Sequence, residues 1–206
     1  MPMRKVLSAT ATCVAVCSLL VGAATAALPA AVGDAVDRPA LQLRHPERAV
    51  TLSAAWAGER LVAVGERGLV LLSDDRGVHW RQASSPVSTT LTTVRFADAT
   101  HGAAVGHGGV VMTTADAGQT WTLQLDGRRV AQRMREAAKA SGDATRLRDA
   151  ERLVADGPDK PFLDLVMWDA RTMLAVGAYG LAFHTADGGA HWTPWAERLP
   201  NPRALH

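Results

Sequence analysis

Along residues 91–125, apolar positions come in short alternating runs broken by glycine and polar residues. The segment reads LTTVRFADATHGAAVGHGGVVMTTADAGQTWTLQL, and four extended runs stand out in it: TTVRFA, GAAVG, GVVMTT and WTLQL. Alternation with a period of two marks a half-buried strand, and the Gly, Asp and polar residues at each boundary suit turns. The pattern recurs on both sides. Residues 63–80 (AVGERGLVLLSDDRGVHW), 104–121 (AVGHGGVVMTTADAGQTW) and 175–192 (AVGAYGLAFHTADGGAHW) share, without gaps, the frame A-V-G-x-x-G-x-x-x-x-[ST]-x-D-x-G-x-x-W. Upstream, Trp56, Phe96 and Trp168 stand nine or ten residues before the A-V-G glycine, with Ala54, Val94 and Val166 two positions earlier.

Four short strands in about 41 residues is the size of one β-propeller blade. The chain therefore reads as all-β, with three four-stranded repeats over about 50–90, 91–126 and 160–200 as blades of an incomplete ring. Between the second and third repeats lie 30 surplus residues, within a segment (127–159) rich in Ala, Arg and Glu. Val130 and Met134 are four apart, and Asp143 after Ser141-Gly142 is placed to cap a second helix carrying Leu147 and Val154. This segment is expected to be a helical insertion with nearly balanced charge, either a solvated helical pair or a docking element. Residues 27–49 read as a linker or an N-terminal strand.

The most specific part of the frame occurs as SDDRGVHW, TADAGQTW and TADGGAHW. Its fixed positions are Ser73, Asp75, Gly77 and Trp80; Thr114, Asp116, Gly118 and Trp121; and Thr185, Asp187, Gly189 and Trp192. A short carboxylate in a tight turn accepts backbone N–H groups, glycine there takes a positive φ, and the indole that follows buries its ring. Repeated positions on successive blades lie far apart, so three aspartates do not converge on one substrate. His79 and His191 share a repeat position and do not converge either; His107 and His184 form no ligand pair, and no metal site is expected. GHGG is followed by no lysine and leads into a strand, which excludes a phosphate loop. No catalytic residue and no cofactor emerges.

Composition adds the compartment. Residues 1–33 run from a basic start through an uncharged apolar stretch to Ala24-Thr25-Ala26, the pattern of a secretory signal peptide over 1–26 cut between Ala26 and Ala27. Left uncleaved, the same stretch reads as a membrane anchor. A periplasmic or secreted protein is expected. Both cysteines, Cys13 and Cys17, fall inside the leader, so the remainder has no disulfide or thiolate ligand. Setting aside Arg4 and Lys5 leaves twenty basic against twenty acidic side chains, and nucleic-acid binding is not expected.

The octets resemble the Asp-box, or BNR repeat, of sialidases and other β-propellers. The longer unit resembles the photosystem II stability/assembly factor family through Phe96, Asp98, Gly102, Ala104-Val105-Gly106, Gly109, Thr114, Asp116, Gly118 and Trp121. That resemblance spans residues 50–126 and 160–195. It implies a seven-bladed exported propeller, here a bacterial relative of the photosynthetic members, that binds proteins while a membrane complex is assembled or maintained. Val62, Ala103 and Leu174 stand where the family often has Trp, and the helical insertion is foreign to its minimal members. His206 falls where a fourth blade would open, so the ring reads as cut short, by truncation or in a chain that oligomerises. Two alternatives stand beside the scaffold. One is a sialidase-type glycoside hydrolase, for which Tyr179 is the sole tyrosine available as nucleophile; the other is a non-functional fragment that does not fold.

Overall fold

Alternating segments become strands here because one face of each is covered by a neighbouring sheet. The computed structural model describes residues 34–198, so the cleavage site at Ala26–Ala27, both cysteines and residues 199–206 lie outside the described residues. Three antiparallel sheets of four strands each follow one another along the chain, joined in strict hairpin order. The first holds β1 (Thr51–Ala57), β2 (Arg60–Gly65), β3 (Val70–Ser73) and β4 (Arg81–Gln82). The second holds β5 (Leu91–Phe96), β6 (Gly102–Gly106), β7 (Val110–Thr114) and β8 (Thr122–Leu125). The third holds β9 (Phe162–Met167), β10 (Met173–Gly177), β11 (Ala182–Thr185) and β12 (Thr193–Pro194). Fourth strands are short at both ends of the series. Pro194 in β12 offers no N–H to the ladder, which confines it to an edge. Residues 34–50 form no strand; two single 3-10 turns, Ala35–Asp37 and Pro46–Arg48, punctuate them.

Strand parity sends alternate residues to opposite faces, and the sheets stack face to face. Val62, Val64 and Leu72 of the first sheet meet Val94, Ala104, Met112 and Trp121 of the second. Ala103, Val105 and Val111 on the second sheet's other face meet Leu165, Phe183 and Trp192 of the third. The first strands of successive sheets lie side by side. Thr92 and Thr93 hydroxyls donate to the carbonyls of Phe162 (2.9 Å) and Leu163 (2.9 Å), the Val94 N–H donates to the Ser53 hydroxyl (3.2 Å), and Arg95 reaches Asp164 (3.1 Å).

Register corrects one alignment. Trp56 pairs with Leu61 and Phe96 with Gly102, four residues before each A-V-G glycine; the residue paired at that position in the third sheet is Met167, opposite Met173. Met167 and Leu165, not Trp168 and Val166, are therefore the third-sheet counterparts. Leu165 is buried, whereas Val166 is 44% and Trp168 60% exposed. The β1–β2 loop is one residue shorter than counting through the third repeat assumed, and aromatic identity misled the comparison.

A second correction concerns the glycine of A-V-G. Gly65, Gly106 and Gly177 do not sit in turns; they end β2, β6 and β10 with extended backbone. A β-bulge in the preceding strand turns a carbonyl toward each of them. A Cβ there would lie 2.0 Å from the Val50 oxygen, 2.2 Å from Thr90 and 2.2 Å from Pro161. The same three carbonyls accept the N–H of Glu66, His107 and Ala178. The bulge and the missing side chain are one device, built three times.

The insertion folds as α1 (Gly127–Ser141) and α2 (Ala144–Asp156). Asp126 caps α1 by accepting the N–H groups of Arg128 and Arg129, Asp143 caps α2 through Thr145 and Arg146, and Gly142 ends α1 in the left-handed region. Val130, Met134 and Leu153 pack onto the core shared by the second and third sheets. Leu147 is half-buried and Val154 is 40% exposed, so Leu153 and Ala150 carry the inward face of α2. The root of the insertion is a close backbone crossing. A Cβ on Gly109 would meet Gly127 at 2.6 Å, and one on Gly127 would meet Pro158 at 2.6 Å.

Candidate functional site

Each S/T-x-D-x-G-x-x-W segment is a hairpin turn closed by its own side chains. In the first sheet the Ser73 hydroxyl donates to Asp75 Oδ1 (2.8 Å) and accepts the Gly77 N–H (2.7 Å). Asp75 Oδ1 also accepts the His79 N–H (2.8 Å), and the indole N–H of Trp80 donates to the Gly77 carbonyl (3.0 Å). The second copy repeats each bond: Thr114 to Asp116 (2.8 Å), Gly118 N–H to Thr114 (3.0 Å), Thr120 N–H to Asp116 (2.9 Å), and Trp121 to the Gly118 carbonyl (2.9 Å). In the third, Thr185 donates to Asp187 (2.8 Å) while Gly189 and His191 N–H groups complete the turn at 3.1 and 2.9 Å. Trp192 is the exception, since its buried indole nitrogen has no hydrogen-bond partner.

Two successive residues in each turn take positive φ. The second is the frame glycine, Gly77, Gly118 or Gly189; the first is Arg76, Ala117 or Gly188. The sequence frame marked only the second because the first tolerates a side chain at some cost in strain. The G-x-x-G turns show the same pair, with Arg67, Gly108 and Tyr179 left-handed before Gly68, Gly109 and Gly180.

The three carboxylates have their acceptor capacity used internally. Backbone N–H donation from His79, then its ring and the Ser73 hydroxyl, lowers Asp75 to about 2. His191 and Thr185 act in the same order on Asp187 and hold it well below the usual carboxylate range. At Asp116 burial pushes upward, but the Thr120 hydroxyl and N–H and the Thr114 hydroxyl outweigh it, and the carboxyl stays low. Asp98, singled out by sequence, accepts the N–H groups of Thr100 and His101 at 2.7 Å each. Asp169 does the same for Arg171 and Thr172 in the third sheet. Sequence reading missed Asp169, though WDART and FADATH both place an Asp one or two residues after the aromatic.

His79 and His191 are held in the same way. His79 Nδ1 lies 2.5 Å from Asp75 and His191 Nδ1 2.6 Å from Asp187, each within its own turn. His184 stacks on Trp195 with ring centroids 4.1 Å apart. Among the described residues, no three His, Cys, Asp or Glu side chains converge as a metal site would require. No described helix is long and apolar enough to cross a membrane.

Among the described residues, two concavities bear on ligand binding. A cleft of about 310 Å³ between the second and third sheets is lined by His101, Asp116, Thr120, Met167 and Met173. A groove of about 880 Å³ runs between the helical pair and the third sheet. Met134, Leu153, Leu181 and Pro194 give the groove an apolar floor, and Arg152 and Lys160 stand with Asp149 and Asp156 on its walls. Tyr179 projects there, 74% exposed, with the Lys160 ammonium 5.2 Å from its ring centroid. The insertion's charge is unevenly spread: α1 carries Arg128, Arg129, Arg133, Arg135 and Lys139 against Glu136 alone.

No protein-family model matches the chain, and no curated protein matches it. Among solved structures, it is similar to YCF48 bound to D1 peptide, with a TM-score of 0.51 and 17% identity over 76% of this chain and 46% of that one. It is also similar to YCF48 from Cyanidioschyzon merolae, with a TM-score of 0.50 and 14% identity over 78% of this chain and 43% of that one. The chain thus spans less than half the length of either structure. At these identities the likeness is one of fold, and it identifies the three stacked sheets as blades of a YCF48-like propeller.

Proposed function

We propose that the chain is an exported, non-catalytic β-propeller scaffold that binds segments of other proteins during assembly or maintenance of a membrane complex. The observation that carries this reading is the likeness in fold to a propeller solved with a peptide bound. The internal saturation of the three Asp-box turns supports it, because their carboxylates and hydroxyls are occupied in holding hairpins. The leader at residues 1–26 supports export, and the motif resemblance supports a membrane-complex partner and a ring of more than three blades.

Within this reading the groove between α1, α2 and the third blade receives the partner segment. Its apolar floor buries side chains while mixed charges and an exposed aromatic line its walls, the arrangement that fixes a peptide's position without chemistry. The test is capture from detergent-solubilised membranes by the full chain and by a Tyr179→Gly, Arg152→Glu double variant. Glycine suits the left-handed backbone at position 179, so the fold is not weakened. Capture of a membrane protein that the double variant loses supports the reading. Equal capture by both proteins would contradict the groove, and turnover of a fluorogenic sialoside would contradict the scaffold.

A further inference from the structure

The two interfaces between successive blades use the same repeat positions but fill them differently. Register makes His101, Ala103 and Thr113 of the second blade the counterparts of Arg60, Val62 and Leu72 in the first. In the Asp-box frame Ala115 stands at the place of Asp74, and Gly188 at that of Ala117 one blade earlier. In the first interface the Arg60 side chain, only 19% exposed, spans the gap between blades. Its Nε donates to Asp74 of its own blade (2.5 Å), and its Nη1 donates to the Ala117 carbonyl of the next (3.4 Å).

In the second interface each of these counterparts is smaller. His101 replaces the arginine and keeps its Nδ1 on Asp98 of its own blade (2.9 Å), and Ala115 replaces the arginine's carboxylate partner. The cleft of about 310 Å³ lies here, and His101, Thr113, Ala115 and Gly188 all line it. Met167 and Met173, paired across β9 and β10, contribute thioethers. Asp116 is the one carboxylate among the lining residues, and no Arg or Lys lines the cleft beside it. Its oxygens are engaged within the turn, so it offers the cleft negative charge rather than a free acceptor.

We propose that this cleft binds an arginine side chain of a partner polypeptide, in the place that Arg60 fills in the first interface. An alkyl-guanidinium is what the same repeat positions hold one blade earlier, and a cation complements the charge of Asp116. The methylene stem packs on the adaptable thioethers of Met167 and Met173, as long cationic side chains bury their stems along apolar surface. The planar guanidinium points to the Gly188 turn, the counterpart of the Ala117 carbonyl that Arg60 reaches. That the arginine is borne by a polypeptide rests on the scaffold reading above. The cleft itself does not, since it shares no lining residue with the groove beside the helical pair.

Methyl NMR of the full chain with labelled methionine tests it, the Met167 and Met173 signals being assigned through Met167→Leu and Met173→Leu. The probe is arginine capped as its N-acetyl, N-methylamide derivative. Both signals should shift saturably with the probe, and capped citrulline, which lacks the charge, should bind about tenfold more weakly. The double variant His101→Arg, Ala115→Asp rebuilds the Arg60–Asp74 pair inside the cleft and should abolish the shifts. Should circular dichroism show that variant misfolded, Thr122→Arg at the exposed rim takes its place. Absence of shifts with capped arginine, equal affinity for capped citrulline or capped leucine, or shifts that persist in the filled variant would overturn the proposal. Tighter binding of free L-arginine than of the capped form would overturn the polypeptide source. Membrane-protein capture reads the scaffold separately, so failure of that reading and failure of the cleft are distinguishable.

Discussion

At the residue scale, the repeated glycines and aspartates separate into distinct physical roles. Gly106 is needed because the Thr90 carbonyl occupies the space of a Cβ. Gly106→Ala should therefore destabilise the chain by about 3 kcal/mol, the scale of overpacking, as read by denaturant unfolding. Gly142, with nothing within 4 Å and φ of 71°, should lose only about 1 kcal/mol on the same substitution, from its left-handed backbone alone. The Asp-box carboxylates are among the lowered aspartates that make stability sensitive to acid. Asp75 falls from 3.8 to about 2 on folding and Asp187 is also lowered, so their contribution is complete above about pH 4. It is lost as pH falls through the folded values. Melting temperature should decline between about pH 4 and pH 2, and Asp75→Asn should flatten that decline.

At the element scale, the helical pair is capped and ion-paired at its root and packs Val130, Met134 and Leu153 onto the core. Asp126 is 4% exposed and caps α1, and Arg128 bridges from it to Asp37 at 2.6 Å. Asp126→Ala should cost about 2 kcal/mol, the upper range for a cap, and should raise hydrogen exchange in the first turn of α1 before any strand opens. The strands, the helix boundaries and the cap at Asp143 were legible because period, turn residues and capping chemistry are local. The bulges opposite Gly65, Gly106 and Gly177 were not, because the carbonyl that excludes a Cβ comes from a neighbouring strand. Nor was the place of Val166, since a one-residue change in loop length reverses which face a strand residue occupies. The groove walled by α2 and Tyr179 was hidden for the same reason: its residues meet only after the insertion folds back on the third blade.

At the scale of the whole molecule, the described residues form a stack of three blades with an adjoining helical pair, and the repeat motif belongs to the stacking. In the proposed function, binding is the task of surfaces that the repeat does not specify, and the groove holding Tyr179 is walled by the insertion that breaks the repeat. Fluorescence anisotropy of a labelled peptide from a membrane protein that the chain captures, titrated with the purified full chain, tests this most directly. The account predicts saturable binding that Tyr179→Gly weakens about tenfold, or about 1.4 kcal/mol. Absence of binding to the wild type, or equal affinity in the variant, would contradict it.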